Sequence, residues 1–279
     1  MHFPIFYGFI APDIAQAKAF QPFKAALDLA EKLNGQITVA VGAMRISVPN
    51  LLSSATVEGL VAEENRRSDE SAAAAIKTIL SLANRGSIAV HTQTLTGDFA
   101  RLRLALSHRA RIHGLIFAEA GLPGDFLASE LVEAFLFESA RPVIIVPEGY
   151  AGLISCERIL IAWDGSTGAA RAVWDAMPLL RLATQIEIVT VTGEKELRNT
   201  VPASELAASL NFLGKQFQIT SLPYDQTSAA ASIKAHAAEI GAGLIVQGCY
   251  GRSRWSELVL GGVTREMLRE HTLPVIMSH

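Results

Sequence analysis

The strongest constraint on this chain is that it reads nearly twice. Arg141-Pro142-Val143-Ile144-Ile145-Val146-Pro147 recurs as Leu273-Pro274-Val275-Ile276-Met277. In both places an amphipathic stretch precedes the proline and a β-branched run follows it. Upstream, His113-Gly114-Leu115-Ile116-Phe117-Ala118 has a counterpart in Ala242-Gly243-Leu244-Ile245-Val246-Gln247. Ala11-Pro12-Asp13 parallels Ala162-Trp163-Asp164, each closing an apolar run. The same signals in the same order predict two tandem copies of one supersecondary plan. The predicted division is one unit over 1–147, a joint at 148–157 and a second unit over 158–279.

Within the second copy, residues 158–163, 186–191, 217–222, 244–247 and 274–277 read as strands. They are short β-rich runs bounded by turn residues. Between them, 169–180, 202–213, 228–240 and 264–270 carry helical spacing; Ala169, Ala172, Val173, Ala176, Leu179 and Leu180 share one side. Strands alternating with helices imply parallel pairing through right-handed crossovers. The predicted fold class is therefore α/β, an open parallel sheet with helices on both faces, made twice. The first copy differs by an extended helix over 57–83, read as a surface elaboration ahead of a regulatory or dimer-contact element.

Composition narrows the function classes. Of 279 residues half are hydrophobic and 18% are charged, which suits a packed core and excludes a disordered chain. The apolar tract from Phe3 to Ala11 lacks a preceding positive region and is interrupted by Pro12 and Asp13, so it reads as a first strand rather than a signal peptide. No apolar run approaches the roughly 18–20 residues of a membrane-spanning helix. Two cysteines, Cys156 and Cys249, cannot make a disulfide framework and read as reduced thiols of a cytoplasmic protein. A net charge of −3 argues against nucleic acid as a partner, and nothing points to a membrane.

Open α/β sheets bind ligands beyond the carboxyl ends of their strands. In the second copy those ends carry Asp164, then Gly248-Cys249-Tyr250-Gly251-Arg252-Ser253, then Gly261-Gly262-Val263-Thr264 opening the last helix. Glycines allow backbone N–H groups to approach an anion, and a helix N-terminus adds unpaired donors with a favourable dipole. Two such turns facing each other would cradle phosphates, with Asp164 placed to accept from a ribose hydroxyl.

Gly-x2-Gly-x9-Gly, the Pro-Val-Ile closing strand and the Asp-Gly-Ser first turn together resemble the universal stress protein family over residues 155–279. The first copy looks like a diverged second member, giving the tandem type. The resemblance implies an adenine-nucleotide-hydrolase-like fold, a cytoplasmic protein that binds ATP with its Mg²⁺, and pairing of the closing strands, here as an internal pseudo-dimer. Carried over by position, Ala162, Trp163 and Asp164 would border base and ribose, and the backbone of Val191 the adenine edge. Gln247, Gly248 and Gly251 would border ribose and phosphates, and Gly261, Gly262, Val263 and Thr264 would hold the phosphate tail.

Two positions depart from the family. Gly262 stands where Ser or Thr is usual, which removes a hydroxyl donor to a charged group, about 1.5–3 kcal/mol. Trp163 replaces a smaller residue and would stack on the base or crowd it. The first copy lacks the cradle: its loop reads Glu119-Ala120-Gly121-Leu122-Pro123-Gly124-Asp125, and Ser129-Glu130 stand for Gly261-Gly262. That site is read as unable to hold ATP.

Other motifs fail. There is no Gly-x4-Gly-Lys-Ser/Thr loop, no Gly-x-Ser-x-Gly elbow and no His-x3-His pair. No residue is placed as a strong base for an attacking water, so catalysis is expected to be absent or limited to slow ATP hydrolysis. The predicted function is a nucleotide-binding stress-response regulator with one live site, an unidentified protein partner and a homodimer of chains. The rival readings are a nucleotide-free interaction scaffold of the same fold and an enzyme acting on another adenylate-like ligand.

Overall fold

The computed structural model describes residues 3–11, 20–48, 54–84, 87–120, 125–147, 150, 152–193, 200–224, 228–249, 266–267 and 272–279. In the first half, β1 (Phe3–Ile10), β2 (Gly35–Met44), β3 (Val90–Gly97), β4 (Leu115–Glu119) and β5 (Val143–Val146) alternate with α1 (Gln21–Lys32), α2 (Ala55–Ala83), α3 (Phe99–Ala110) and α4 (Phe126–Glu138). In the second, β6 (Arg158–Ala162), β7 (Gln185–Thr192), β8 (Gln216–Pro223), β9 (Leu244–Gly248) and β10 (Val275–Ser278) are joined through α5 (Thr167–Asp175), α6 (Met177–Leu180), α7 (Ala203–Ser209) and α8 (Ala229–Glu239).

All ten strands form one sheet in the order β3-β2-β1-β4-β5-β10-β9-β6-β7-β8. Every neighbouring pair is parallel except β5 with β10. Strands such as β4, β5, β6 and β9 are buried along nearly their whole length, as parallel strands covered on both faces must be. One apolar layer packs under α1, α2 and α5 to α7, the other under α3, α4 and α8. This is the predicted α/β architecture.

The ladders give an internal alignment more exact than sequence similarity. Leu115 and Leu244 sit beside Ile5 and Ile159, and Val143 and Val275 beside Ile116 and Ile245. Ile144 and Ile276 are thus equivalent, and they pair with each other across β5 and β10. A local two-fold axis passes between them. By the same register Asp164 is level with Ile10; Asp13, matched to it by the tripeptide, lies outside the described residues. Two helices differ from their predicted extents. The 169–180 helix breaks between α5 and α6, where Pro178 cannot supply an N–H, and the 202–213 helix ends as α7 followed by a 3-10 turn, Asn211–Leu213.

The extended helix α2 starts at Ser54, whose hydroxyl accepts from Val57 N–H at 3.3 Å. Its C-terminal half buries Ser71, Ala72, Ala75, Ile79 and Ala83. The N-terminal half meets the 45–48 segment through Arg45 to Asp69, 2.5 Å, and through both ends of the Asn65 amide to Ile46.

Candidate functional site

In each half the chain leaves the first strand toward one face and the fourth strand toward the other, which opens a crevice between their carboxyl ends. In the second half that crevice lies between β6 and β9. Trp163 extends the ladder by one bond, its N–H reaching Val189 O at 2.8 Å. Its ring is buried and its Nε1–H donates to Val201 O at 2.7 Å. The tryptophan therefore pins the 200–202 segment beside the first turn.

Asp164-Gly165-Ser166 forms a built corner. Asp164 Oδ1 accepts from Ser166 N–H at 3.1 Å, and Ser166 Oγ caps α5 by accepting from Ala169 N–H at 3.2 Å. Gly165 has φ +71°, and a Cβ there would stand 2.5 Å from Thr200 Cβ, so glycine is required twice over.

On the other side of the crevice, Gln247 lies between Ala162 of β6 and Met277 of β10. It is 5% exposed, and its Oε1 has no hydrogen-bond partner among the described residues. Gly248 follows, level with Ser278, whose buried Oγ is equally unpartnered among the described residues. A Cβ on Gly248 would meet Ala169 N and the Gly168 carbonyl carbon at 2.4 Å, so the bare backbone lets the start of α5 pack on β9. Cys249 N–H donates to Ser278 O at 2.7 Å and fixes the exit of the loop.

Val191 belongs to β7, whose ladder with β6 stops at Ala162 and Val189, so its peptide edge lies past the end of β6. Ala162, Trp163, Asp164, Val191, Gln247 and Gly248 are thus gathered at the ends of three adjacent strands. Gly251, Gly261, Gly262, Val263 and Thr264 lie outside the described residues. Just beyond them, Glu266 Oε1 accepts from Ser228 Oγ at 2.6 Å and approaches Lys234 Nζ at 3.9 Å. Ser228 also caps α8, accepting from Ala231 N–H at 2.9 Å.

Sequence reasoning missed Ser278, the 200–202 segment and the Ser228–Glu266 link. Each depends on a contact between residues distant in sequence, and only the bulk of Trp163 hinted at one. Among the described residues no group of three or more His, Cys, Asp or Glu could hold a metal ion.

The first half offers the same backbone with different chemistry. Ile10, Ala118, Glu119 and Val146 are level with Asp164, Gln247, Gly248 and Ser278. Burial and the nearby Glu119 carboxylate push the Tyr7 phenol well above its ordinary range. Asp125 caps α4 by accepting from Ala128 N–H at 3.0 Å. Ser129 and Glu130 therefore lie inside the helix, with Ser129 N–H already donated to Asp125 O at 3.2 Å.

The family described as the universal stress protein family matches residues 156–279. Among solved structures, a universal stress protein from Archaeoglobus fulgidus is similar over 99% of this chain and 97% of its own, with a TM-score of 0.68 at 16% identity. One described as a putative universal stress protein from Pseudomonas aeruginosa is similar over 99% and 92%, with a TM-score of 0.56 at 14% identity. At these identities the likeness is one of fold. No curated protein matches the sequence. Among the described residues no helix is long and apolar enough to cross a membrane. Residues 156–279 match the universal stress protein family, in a chain whose fold is similar over nearly its whole length to that of solved universal stress proteins.

Proposed function

We propose that the second unit binds an adenine nucleotide, ATP with its Mg²⁺, in the crevice between β6 and β9, and that the first unit does not. The observation carrying this reading is the contrast between two crevices that share one backbone plan. One has Asp164, Gln247, Gly248 and Ser278 where the other has Ile10, Ala118, Glu119 and Val146. Buried polar atoms are ordinarily paired. Two orphans flanking the end of β9, both replaced by apolar residues in the other half, support a polar ligand on one side alone.

On this reading adenine lies against the peptide edge of Val191, and the sugar crosses the end of β6 beside Asp164. The glycines from Gly248 to Gly262, with Val263 and Thr264, receive the phosphates. Trp163 contributes by holding the 200–202 segment rather than by stacking on the base. Bound ATP brings the Mg²⁺ and a hydrolysable tail; the chain binds and orients it, with slow turnover at most. Occupancy would change the surface offered to a protein partner, or to a second copy in a homodimer, and so report on stress in the cytoplasm.

The test is to denature freshly purified protein, identify any released nucleotide by chromatography, and titrate the stripped protein with Mg-ATP by calorimetry. About one site per chain, lost in Gly251→Glu, is the expected result. Two sites would show that the first unit binds as well. No release and no heat up to about 1 mM ATP, the weakest affinity worth calling a site, would leave the scaffold reading.

A further inference from the structure

Two arginines clasp the turn between α3 and β4 to the turn between α4 and β5. Arg141 Nε–H donates to Arg111 O at 2.7 Å, and Arg111 Nε–H donates to Glu138 O at 3.0 Å. The corner before Arg141 is equally fixed. The buried Ser139 hydroxyl donates to Phe135 O and accepts from Arg141 N–H at 3.1 Å, while Ala140 is held at φ +56°, a left-handed conformation uncommon for alanine. Ile112, next to Arg111, is 80% exposed. A cation suits a helix C-terminus, so capping accounts for one bond from each guanidinium. It leaves four of the five N–H donors on each. Among the described residues neither arginine has a carboxylate within 4 Å, whereas nearby Arg103 is answered by Glu138 at 2.5 Å. Nor does capping account for the bare isoleucine. The second half closes the same two turns with Ile240, Gly241 and Leu273 level with Arg111, Ile112 and Arg141.

We propose that this double turn is a docking site for an acidic segment of a partner protein, with carboxylates taken by Arg111 and Arg141 and an apolar side chain packed on Ile112. A guanidinium is a planar fork that matches a carboxylate with two parallel hydrogen bonds. Here both forks are anchored through Nε before any partner arrives, which lowers the ordering cost of association. A lipid surface would call for a cluster of roughly four to eight cations, and nucleic acid for a broad basic face. Two guanidiniums beside one isoleucine, on a chain of net charge −3, suit a short acidic peptide better. The location adds a consequence. Because β5 and β10 are antiparallel, this turn lies on the same rim of the sheet as the carboxyl ends of β9 and β6. Two strand spacings, about 10 Å, separate β5 from β9. A segment seated on the first half thus adjoins the crevice of the second. The proposal does not rest on the nucleotide reading, and its test is run without nucleotide.

The test is fluorescence anisotropy of the full chain with the labelled peptide Glu-Glu-Glu-Leu-Glu-Glu-Glu and its neutral counterpart Gln-Gln-Gln-Leu-Gln-Gln-Gln. Wild type is expected to bind the acidic peptide at least about tenfold more tightly than the neutral one, as charge-assisted bonds require. Ile112→Glu should weaken the acidic peptide at least about tenfold with an unchanged melting temperature, since that side chain is solvated in the free protein. Arg141→Gln should weaken it by a similar factor. Arg109→Glu is the control for charge in general, because Arg109 leaves the same helix end toward Gln93 of β3, at 3.5 Å. At about 0.15 M salt, where charges more than roughly 8 Å away are screened, Arg109→Glu should change affinity less than about threefold. No binding of the acidic peptide, equal binding of the two peptides, or equal losses in Ile112→Glu and Arg109→Glu would overturn the proposal. So would tighter binding to phosphatidylserine vesicles than to the acidic peptide, which would assign the turn to a membrane.

Discussion

Gly248 and Glu119 occupy the same rung of the two half-sheets, and the difference sets how near the following helix can come. Without a side chain at 248, α5 starts three residues after Asp164 and packs on the strand end. With Glu119 in that place, α1 starts only at Gln21, eleven residues after Ile10. A second residue carries a pH signature. Burial holds the His113 imidazole below its ordinary value, partly offset by the Arg109 carbonyl that its Nδ1–H meets at 3.1 Å; the ring also lies 5.0 Å from that of Phe6. A histidine kept neutral by the fold contributes stability above its unfolded value near 6.5, and that stability is lost as the pH falls through the depressed folded value. The urea midpoint of wild type should therefore drop between pH 7.5 and pH 5. The drop should be smaller in His113→Leu, and equal drops in the two proteins would contradict the assignment.

At the scale of elements, a partly buried polar cluster ties three of them together. Glu187 on β7 accepts from Thr220 Oγ1 of β8 at 2.7 Å and from His236 Nε2 of α8 at 2.6 Å. Removing one partner of a partly buried hydrogen bond leaves the other short of a partner, at a cost of about 1–3 kcal/mol, whereas replacing both is milder. Glu187→Leu should lose stability on that scale in chemical denaturation, and adding His236→Leu should restore part of it. Additive losses would mean that the pair does not act as a unit. This cluster was not legible in the sequence, because its members lie 33 and 49 positions apart and share no periodic signal. The strands were legible, since buried parallel strands write themselves as continuous β-branched runs. Of the crevice, Gly165, Gly248 and Asp164 could be read from turn chemistry. The buried orphans at Gln247 and Ser278 could not, since burial of a strand end depends on what crosses above it.

For the whole molecule, the pairing of β5 with β10 leaves β3 and β8 as the two edges of the sheet. The closing strands are thus already used within one chain, and a homodimer of chains would have to use other surfaces. A fragment of residues 1–147 should expose β5, whose run Val143-Ile144-Ile145-Val146 resembles the partner it has lost. Sedimentation should find that fragment self-associated, and a fragment of residues 150–279 should convert it to a one-to-one complex. A fragment that stays monomeric at about 50 μM and ignores its other half would mean that β5 and β10 add little to cohesion. The same strand order bears on how the protein is made. Val146 and Val275 are 129 positions apart in the chain, yet β5 and β10 lie side by side at the middle of the sheet. At about 5–20 residues per second, the ribosome leaves an apolar edge uncovered for roughly 6–26 s in every nascent chain. During that interval a neighbour on the same messenger could offer its own β5, so shielding by a chaperone would act most strongly on a first half that is already folded and waiting.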